Sequence, residues 1–231
     1  MIKVASYNIH KGIGLDRRRD PRRILDVLRE IDADIIALQE ADRRFGTRLS
    51  VIDPQLLADH SPWKAVAVGD RPGSMGWHGN ALLVRKEATV LGSTIIHLPA
   101  LEPRGAVTAD VDSAGAALRV VGMHLDLSGL RRRRQAHSIM AHVHAHETPR
   151  PTVMMGDLNE WSTHAGCLRD FAHHFRFAAT GASFHVRRPV AALDRIMYTP
   201  DLRVVACGVH ASPIARRASD HLPIWAVLER H

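Results

Sequence analysis

From Gly79 to His124 the chain runs through strand-length segments, Gly79 to Val84, Ala88 to Ile96, Gly105 to Val111 and Ala117 to His124, with no helical stretch between them. Parallel neighbours need a long crossover, so this succession implies antiparallel pairing and excludes a pure alternation of strand and helix. Strands are also expected at Ile2 to Tyr7, Asp34 to Glu40, Val153 to Met155, Ala192 to Tyr198 and Leu202 to Val209, with a last one running to Leu228. Helices are fewer. Asp20-Pro21 is an N-cap followed by proline at the first helical position, and Ile24, Leu25, Leu28 and Ile31 mark one apolar face. Ser128 to about His146 and Thr163 to Phe177 also read as helical. Asp42 to Gly79 is loop-rich, with turn signals at Asp53-Pro54, Ser61-Pro62 and Arg71-Pro72-Gly73 and a short strand at Lys64 to Val68.

No Pro/Gly/Ser-rich linker divides the 231 residues, so residues 1–231 are expected to form one domain. With 45% hydrophobic and 24% charged residues the chain has ample material for a core, which excludes extensive disorder. Lys+Arg at 31 against Asp+Glu at 24 gives +7 and favours polyanionic partners: nucleic acid, phosphorylated metabolites or an anionic lipid surface. Cys167 and Cys207 form neither a metal-binding spacing nor a disulfide framework, which fits a reducing cytoplasm. Met1-Ile-Lys-Val-Ala-Ser lacks the apolar core of a signal peptide, and no apolar stretch approaches the roughly 20 residues that span a bilayer. The expectation is a soluble, monomeric, cytoplasmic protein without a transmembrane segment.

Chemistry-bearing residues recur at strand ends. In Pro151-Thr-Val-Met-Met-Gly-Asp-Leu-Asn-Glu160 the apolar run meets Gly156, where a sharp turn is expected, and then Asp157 and Asn159. From a strand end both side chains can reach one place, and a carboxylate beside a carboxamide suits activation of water near a phosphate or metal; an ordinary Asx turn would use the same residues. Asn8 ends the first strand and His124 ends the apolar run of Leu118, Val120, Val121 and Met123. Glu40 follows Ile35, Ile36 and Leu38, as either a solvated cap or a metal ligand. Asp194 lies among apolar neighbours and needs a partner to offset desolvation, which the Asp220-His221 pair can supply. Other signals are weaker. Trp77 fits packing under a loop better than stacking on a base, and Arg131 to Arg134 point in nearly all directions on a helix, leaving one at most for the site. Of His142, His144 and His146 only the first and last share a helical face, and no carboxylate or thiol joins them for zinc.

In order, Tyr7-Asn8-Ile9, Leu38-Gln39-Glu40, Gly79-Asn80-Ala81-Leu82, Met123-His124-Leu125, Gly156-Asp157-Leu158-Asn159, Leu193-Asp194-Arg195-Ile196 and Ser219-Asp220-His221-Leu222-Pro223 resemble the endonuclease/exonuclease/phosphatase superfamily of metal-dependent phosphoesterases. The resemblance implies an α/β fold, a four-layer sandwich of two mixed, mainly antiparallel sheets packed face to face with helices outside. It also implies residue roles. Glu40 matches the main metal ligand, with Asn8 beside it, and Asp220 matches a carboxylate that binds metal at the same site; such hard oxygen ligands suit Mg2+ or Mn2+. Asp157 matches the residue that orients or deprotonates the attacking water, and Asn159 the one that holds the phosphate. His124 and His221 match histidines that stabilise charge on phosphoryl oxygens, with Asp194 orienting His221. Asn80 either contacts the phosphate or ties two loops together. Arg104 either adds positive charge near the phosphate or is an exposed structural residue.

Substrate is less constrained. Abasic-site endonucleases of the superfamily carry a mid-chain active-site tyrosine, whereas the only tyrosines here are Tyr7 and Tyr198. The segment Leu98-Pro-Ala-Leu101 is too short for the apolar hairpin of sphingomyelinase-like members, and the chain most resembles compact bacterial ones. A hydrolase of a small or lipid-headgroup phosphoester is favoured over a DNA or RNA nuclease, because a charge of +7 alone is no groove and aromatics are only 5%. A non-catalytic phosphate-binding scaffold is the remote alternative. Partners consistent with the charge are the phosphoester itself, nucleic acid and a peripheral anionic membrane contact.

Overall fold

The computed structural model describes the chain apart from residues 44–48, 70–72, 101–103 and 114. Arg71 and Pro72 of the expected turn, and Leu101, therefore lie outside the described residues. The strands are β1 (Ile2–Asn8), β2 (Ile35–Gln39), β3 (Trp63–Ala65), β4 (Ala81–Arg85), β5 (Thr89–Ile96), β6 (Gly105–Ser113), β7 (Ala116–His124), β8 (Thr152–Asp157), β9 (Arg176–Phe177), β10 (Asp194–Tyr198), β11 (Leu202–Val209) and β12 (Ile224–Arg230). The helices are α1 (Pro21–Ile31), α2 (Pro54–His60), α3 (Gly129–His144), α4 (Cys167–Ala172) and α5 (Ala215–Ala218).

Two six-stranded sheets result, ordered β11-β12-β1-β2-β4-β3 and β5-β6-β7-β8-β10-β9. Each holds one parallel pair, β1 with β2 and β7 with β8, and the crossovers are α1 and α3. The remaining pairs are antiparallel, as the helix-free succession requires.

Strand residues alternate between two cores, which is why β1, β2 and β8 read as continuous apolar runs. Val4, Ile35, Ala37 and Leu82 of one sheet meet Val107, Val120, Val153 and Met155 of the other in a core between the sheets. Their neighbours Ala5, Tyr7, Ile36 and Leu38 face outward onto Ile24, Leu25 and Leu28 of α1. On the opposite outside, Val121, Met123 and Met154 pack with Ile139 of α3 and Phe171 of α4. The order of layers is helices, sheet, sheet, helices, the four-layer α/β sandwich expected. Among the described residues, no helix is long and apolar enough to cross a membrane, and both cysteines are free thiols.

Several local expectations need correction. The helix expected over Thr163 to Phe177 shrinks to α4, because the Ser162 hydroxyl accepts the N–H groups of His164 and Ala165 in a turn and Gly166 then takes a left-handed φ of 62°. Phe177 instead pairs with Met197 as part of edge strand β9. Asp53-Pro54 starts a helix rather than a turn: the Asp53 carboxylate accepts from the N–H groups of Gln55 and Leu56. The short strand begins at Trp63 and ends at Ala65. Gly156 does not break its strand either. β8 continues through Asp157, and glycine is needed because a Cβ there would lie 1.8 Å from the Met123 carbonyl oxygen on β7.

Candidate active site

Topology brings the candidate residues to one end of the sandwich. Asn8, His124 and Asp157 are the last residues of β1, β7 and β8, and Glu40 directly follows β2. Antiparallel neighbours start where these strands stop, so Asn80 precedes β4, Arg104 precedes β6, Asp194 opens β10, and Asp220-His221 leads into β12. In the second sheet the register runs Gly105 to His124 to Asp157 to Asp194 across adjacent strands. Ligands of open α/β sheets bind outside the carboxyl ends of parallel strands, and here both sheets offer such ends on the same side.

Asp157 is the centre, with 1% of its surface exposed. Its Oδ2 accepts from Asn8 Nδ2 at 3.0 Å and lies 3.4 Å from His124 Nε2 and 3.7 Å from His221 Nε2. Its Oδ1 accepts the Asn159 N–H at 2.9 Å, closing an Asx turn in which Asn159 takes a φ of 50°. The Asx turn at Oδ1 and the convergence of Asn8, His124 and His221 on Oδ2 therefore coexist. Asn159 Nδ2 donates to the Leu125 carbonyl at 3.0 Å, which fixes the amide.

The fully buried Asp194 finds its partner: His221 Nδ1 donates to Asp194 Oδ2 at 2.8 Å, and the buried Ser183 hydroxyl donates to the same oxygen. Burial alone would push the His221 imidazole down, but the carboxylates of Asp194, Asp157 and Asp220 outweigh it and hold the pKa at about 10. His124 is opposite in character. Burial, aided by Arg104 and His221, pushes it down to about 3 against the pull of Asp157. One histidine is thus an imidazolium at neutral pH and the other a neutral ring. Arg104 supplies the cation on the His124 side, with Nη1 2.9 Å from His124 Nδ1 and also in contact with Nε2. Asn80, fully buried, donates from Nδ2 to the Trp77 carbonyl at 3.3 Å and so ties its own loop, while its Oδ1 has no partner among the described residues.

Glu40 and Asp220 are half-buried and flank consecutive residues of a tight turn. The Lys11 ammonium contacts Glu40 Oε2, and His10 Nδ1 lies 3.8 Å from Asp220 Oδ1. Burial would raise the Glu40 carboxyl, yet Lys11, with smaller help from His10 and Arg104, holds it below its ordinary value. The carboxylates of Glu40 and Asp220 and the amide oxygen of Asn8 are hard oxygen donors of the kind magnesium or manganese takes, and the Lys11 ammonium on Glu40 would give way to such an ion. Asn8 Oδ1 accepts the His10 N–H at 3.1 Å, which leaves a second lone pair. Asp157, Asp194 and His221 also bring donor atoms within 4.8 Å of one another. His221 Nδ1 donates to Asp194 Oδ2, so a hydrogen bond already joins two of the three.

Lys11, Ser183 and Phe184 were not visible as site residues. The Phe184 ring lies 4.8 Å from the His221 ring between centroids. Nothing in Gly181-Ala-Ser-Phe-His185 signals a buried hydroxyl, and a lysine after a strand end reads as solvated. Among the four arginines of α3, Arg132 does turn inward, to the Glu160 carboxylate at 3.0 Å.

Comparison with known proteins agrees with this architecture. The uncharacterised Escherichia coli (strain K12) protein YbhP is 28% identical over 244 residues, covering 97% of this chain and 94% of YbhP. An endonuclease/exonuclease/phosphatase structure from Bacteroides vulgatus superposes with a TM-score of 0.77 at 20% identity, covering 100% of this chain and 99% of that one. A mannosyl-6-phosphatase from Bacteroides thetaiotaomicron gives 0.74 at 19%, covering 99% and 100%. Residues 5–221 match the Endonuclease/Exonuclease/phosphatase family, whose members are generally hydrolytic phosphoesterases, and the chain belongs to that family.

Proposed function

We propose that the chain is a magnesium- or manganese-dependent hydrolase of a small or lipid-headgroup phosphoester, acting by direct in-line attack of water. The observation that carries this reading is the crowding around Asp157 Oδ2, where Asn8, His124 and His221 converge from both sheets. A carboxylate so fixed can orient a water and accept its proton, and its low exposure keeps bulk water from competing for it.

The other residues act on the phosphoryl group. The His221 imidazolium, oriented by Asp194, donates from Nε2 to an oxygen that gains charge in the transition state. The Arg104 guanidinium adds charge beside the neutral His124, which can donate one N–H without carrying charge itself. The second N–H of the Asn159 amide is left to hold the ester, while the buried Asn80 amide supports its loop through the Trp77 carbonyl. A divalent ion held by Glu40 and Asp220, with Asn8 beside them, would polarise the phosphorus centre and offset its negative charge. Water adds to phosphorus as the P–O bond to the leaving group breaks, its proton passing to Asp157 and the leaving oxygen taking a proton from solvent, with no side-chain nucleophile and no covalent intermediate. That a neighbour of this fold is a mannosyl-6-phosphatase is compatible with a small phosphoester.

The test is hydrolysis of bis(p-nitrophenyl) phosphate, p-nitrophenyl phosphate and supercoiled plasmid with magnesium, manganese or chelator. Metal-dependent cleavage of the small esters alone supports the reading. Metal-dependent plasmid nicking would move it to a nuclease, and no cleavage of any substrate would overturn hydrolysis in favour of a phosphate-binding scaffold.

A further inference from the structure

Exposed apolar side chains that the hydrolytic chemistry does not use lie on the segments next to the strand ends that carry the site. Leu127 is 65% exposed, Leu130 64%, Trp161 64% and Val190 70%. Leu127 and Leu130 follow β7, which ends at His124; Trp161 lies two residues beyond Asn159; Val190 precedes β10, which opens at Asp194. Chain that leaves or enters those strand ends must emerge around the site.

These segments are fastened together. Buried Arg132 donates from Nη1 to the carbonyls of Asp126 and Leu127 at 3.2 and 2.6 Å and from Nε and Nη2 to Glu160 at 3.2 and 3.0 Å. It thus ties the Leu127 loop to the residue before Trp161. The Trp161 ring meets Phe184 edge-on at 6.1 Å, Phe184 lies 4.8 Å from His221, and the Val190 N–H donates to the Phe184 carbonyl at 2.9 Å. The ridge therefore ends over an imidazole of the candidate site.

The same segments carry cations. Arg134, Arg187 and Arg188 are exposed and Arg131 is half-buried, while residues 127–134 and 185–190 contain no acid. Arginine in the first turn of α3 opposes the helix macrodipole, and that turn holds no acidic residue to offset it, so helix stability does not account for the placement.

We propose that this ridge docks the site on an anionic lipid bilayer, its apolar side chains entering the headgroup–acyl boundary and its arginines meeting lipid phosphates. Trp161 is the one exposed aromatic of the ridge, and Leu127, Leu130 and Val190 have no π face on which successive bases could stack. A two-fold pairing of this face with itself would set arginines against arginines. The choice of a lipid headgroup as substrate rests on the hydrolase reading; the docking does not.

The experiment is co-sedimentation of the full chain, in chelator, with vesicles of phosphatidylglycerol and phosphatidylcholine or of phosphatidylcholine alone, with tryptophan emission as second readout. Binding to the anionic vesicles, weak binding to the neutral ones and a blue shift are expected, since Trp161 is well exposed and Trp63 fully buried. Leu127→Ser/Leu130→Ser should weaken binding by about tenfold or more and leave hydrolysis of a soluble ester unchanged. No binding, or equal binding by variant and wild type, would overturn the proposal. So would a variant-sensitive affinity for single-stranded oligonucleotide without vesicle binding, or a dimer that the substitutions dissolve. Vesicle binding without esterase activity would refute the hydrolase reading alone, and soluble-ester hydrolysis without vesicle binding would refute the docking alone.

Discussion

Asn8 and Asp157 are separated by 149 positions in the chain and joined by a 3.0 Å hydrogen bond from the Asn8 amide to the Asp157 carboxylate. β1 and β8 belong to different sheets, so this bond crosses the sandwich where both sheets end. Asn8 is 3% exposed and Asp157 1%, and water cannot readily replace the donor. Asn8→Leu, close in shape but without the amide, is expected to cost about 1–3 kcal/mol, the usual penalty for a buried acceptor left short of a partner. Turnover should fall more than apparent substrate affinity. Urea denaturation and steady-state kinetics check both, and wild-type values would show that the bond is incidental.

The His221–Asp194 pair sets a pH dependence of stability. The folded pKa of about 10 lies above the ordinary 6.5, so the stabilisation is complete below about 6.5 and is lost as pH rises through about 10. Asp194→Asn should therefore destabilise the metal-free chain by on the order of a few kcal/mol at pH 6, with a gap that narrows above pH 10. Denaturation of both proteins across that range reads the gap directly. A gap independent of pH would mean that His221 is not the titrating partner.

Metal binding should pass through Glu40. Manganese added to wild type is expected to raise the melting temperature by mass action, and Glu40→Gln should abolish that rise while leaving the metal-free melting temperature within a few degrees. Thermal scans with and without chelator measure it. An undiminished shift in the variant would place the ion elsewhere.

Gly156→Ala puts a methyl group 1.8 Å from the Met123 carbonyl oxygen, a contact that only strand separation can relieve. The loss should be several kcal/mol, enough to unfold many single domains. Soluble expression and circular dichroism report the outcome; a stable, active variant would contradict the tight β7–β8 approach.

Much of this was legible because strand-end chemistry leaves a local trace. Asn8, His124 and Asp157 each follow an apolar run, and such runs place their last residue at a sheet edge whatever the partners. What could not be read was which edges meet. The Lys11–Glu40 and Ser183–Asp194 contacts join segments with no shared periodicity, and the neutral state of His124 depends on burial that no spacing encodes. Asp20-Pro21 and Asp53-Pro54 carry the same capping signature. Only the first precedes an evident apolar stripe; the second helix is seven residues long and buries Leu57 alone, too little to produce a periodic signal.

The central claim is that Asp157 activates the attacking water. It is tested most directly by metal-dependent hydrolysis of bis(p-nitrophenyl) phosphate by wild type and Asp157→Asn, matched in fold by circular dichroism. Asparagine keeps the shape and the hydrogen bond to the Asn159 N–H but cannot take a proton. A fall in turnover on the order of a hundredfold or more is expected, the range of a lost general base. Turnover within about twofold of wild type in the folded variant would contradict the assignment of Asp157 and the mechanism built on it.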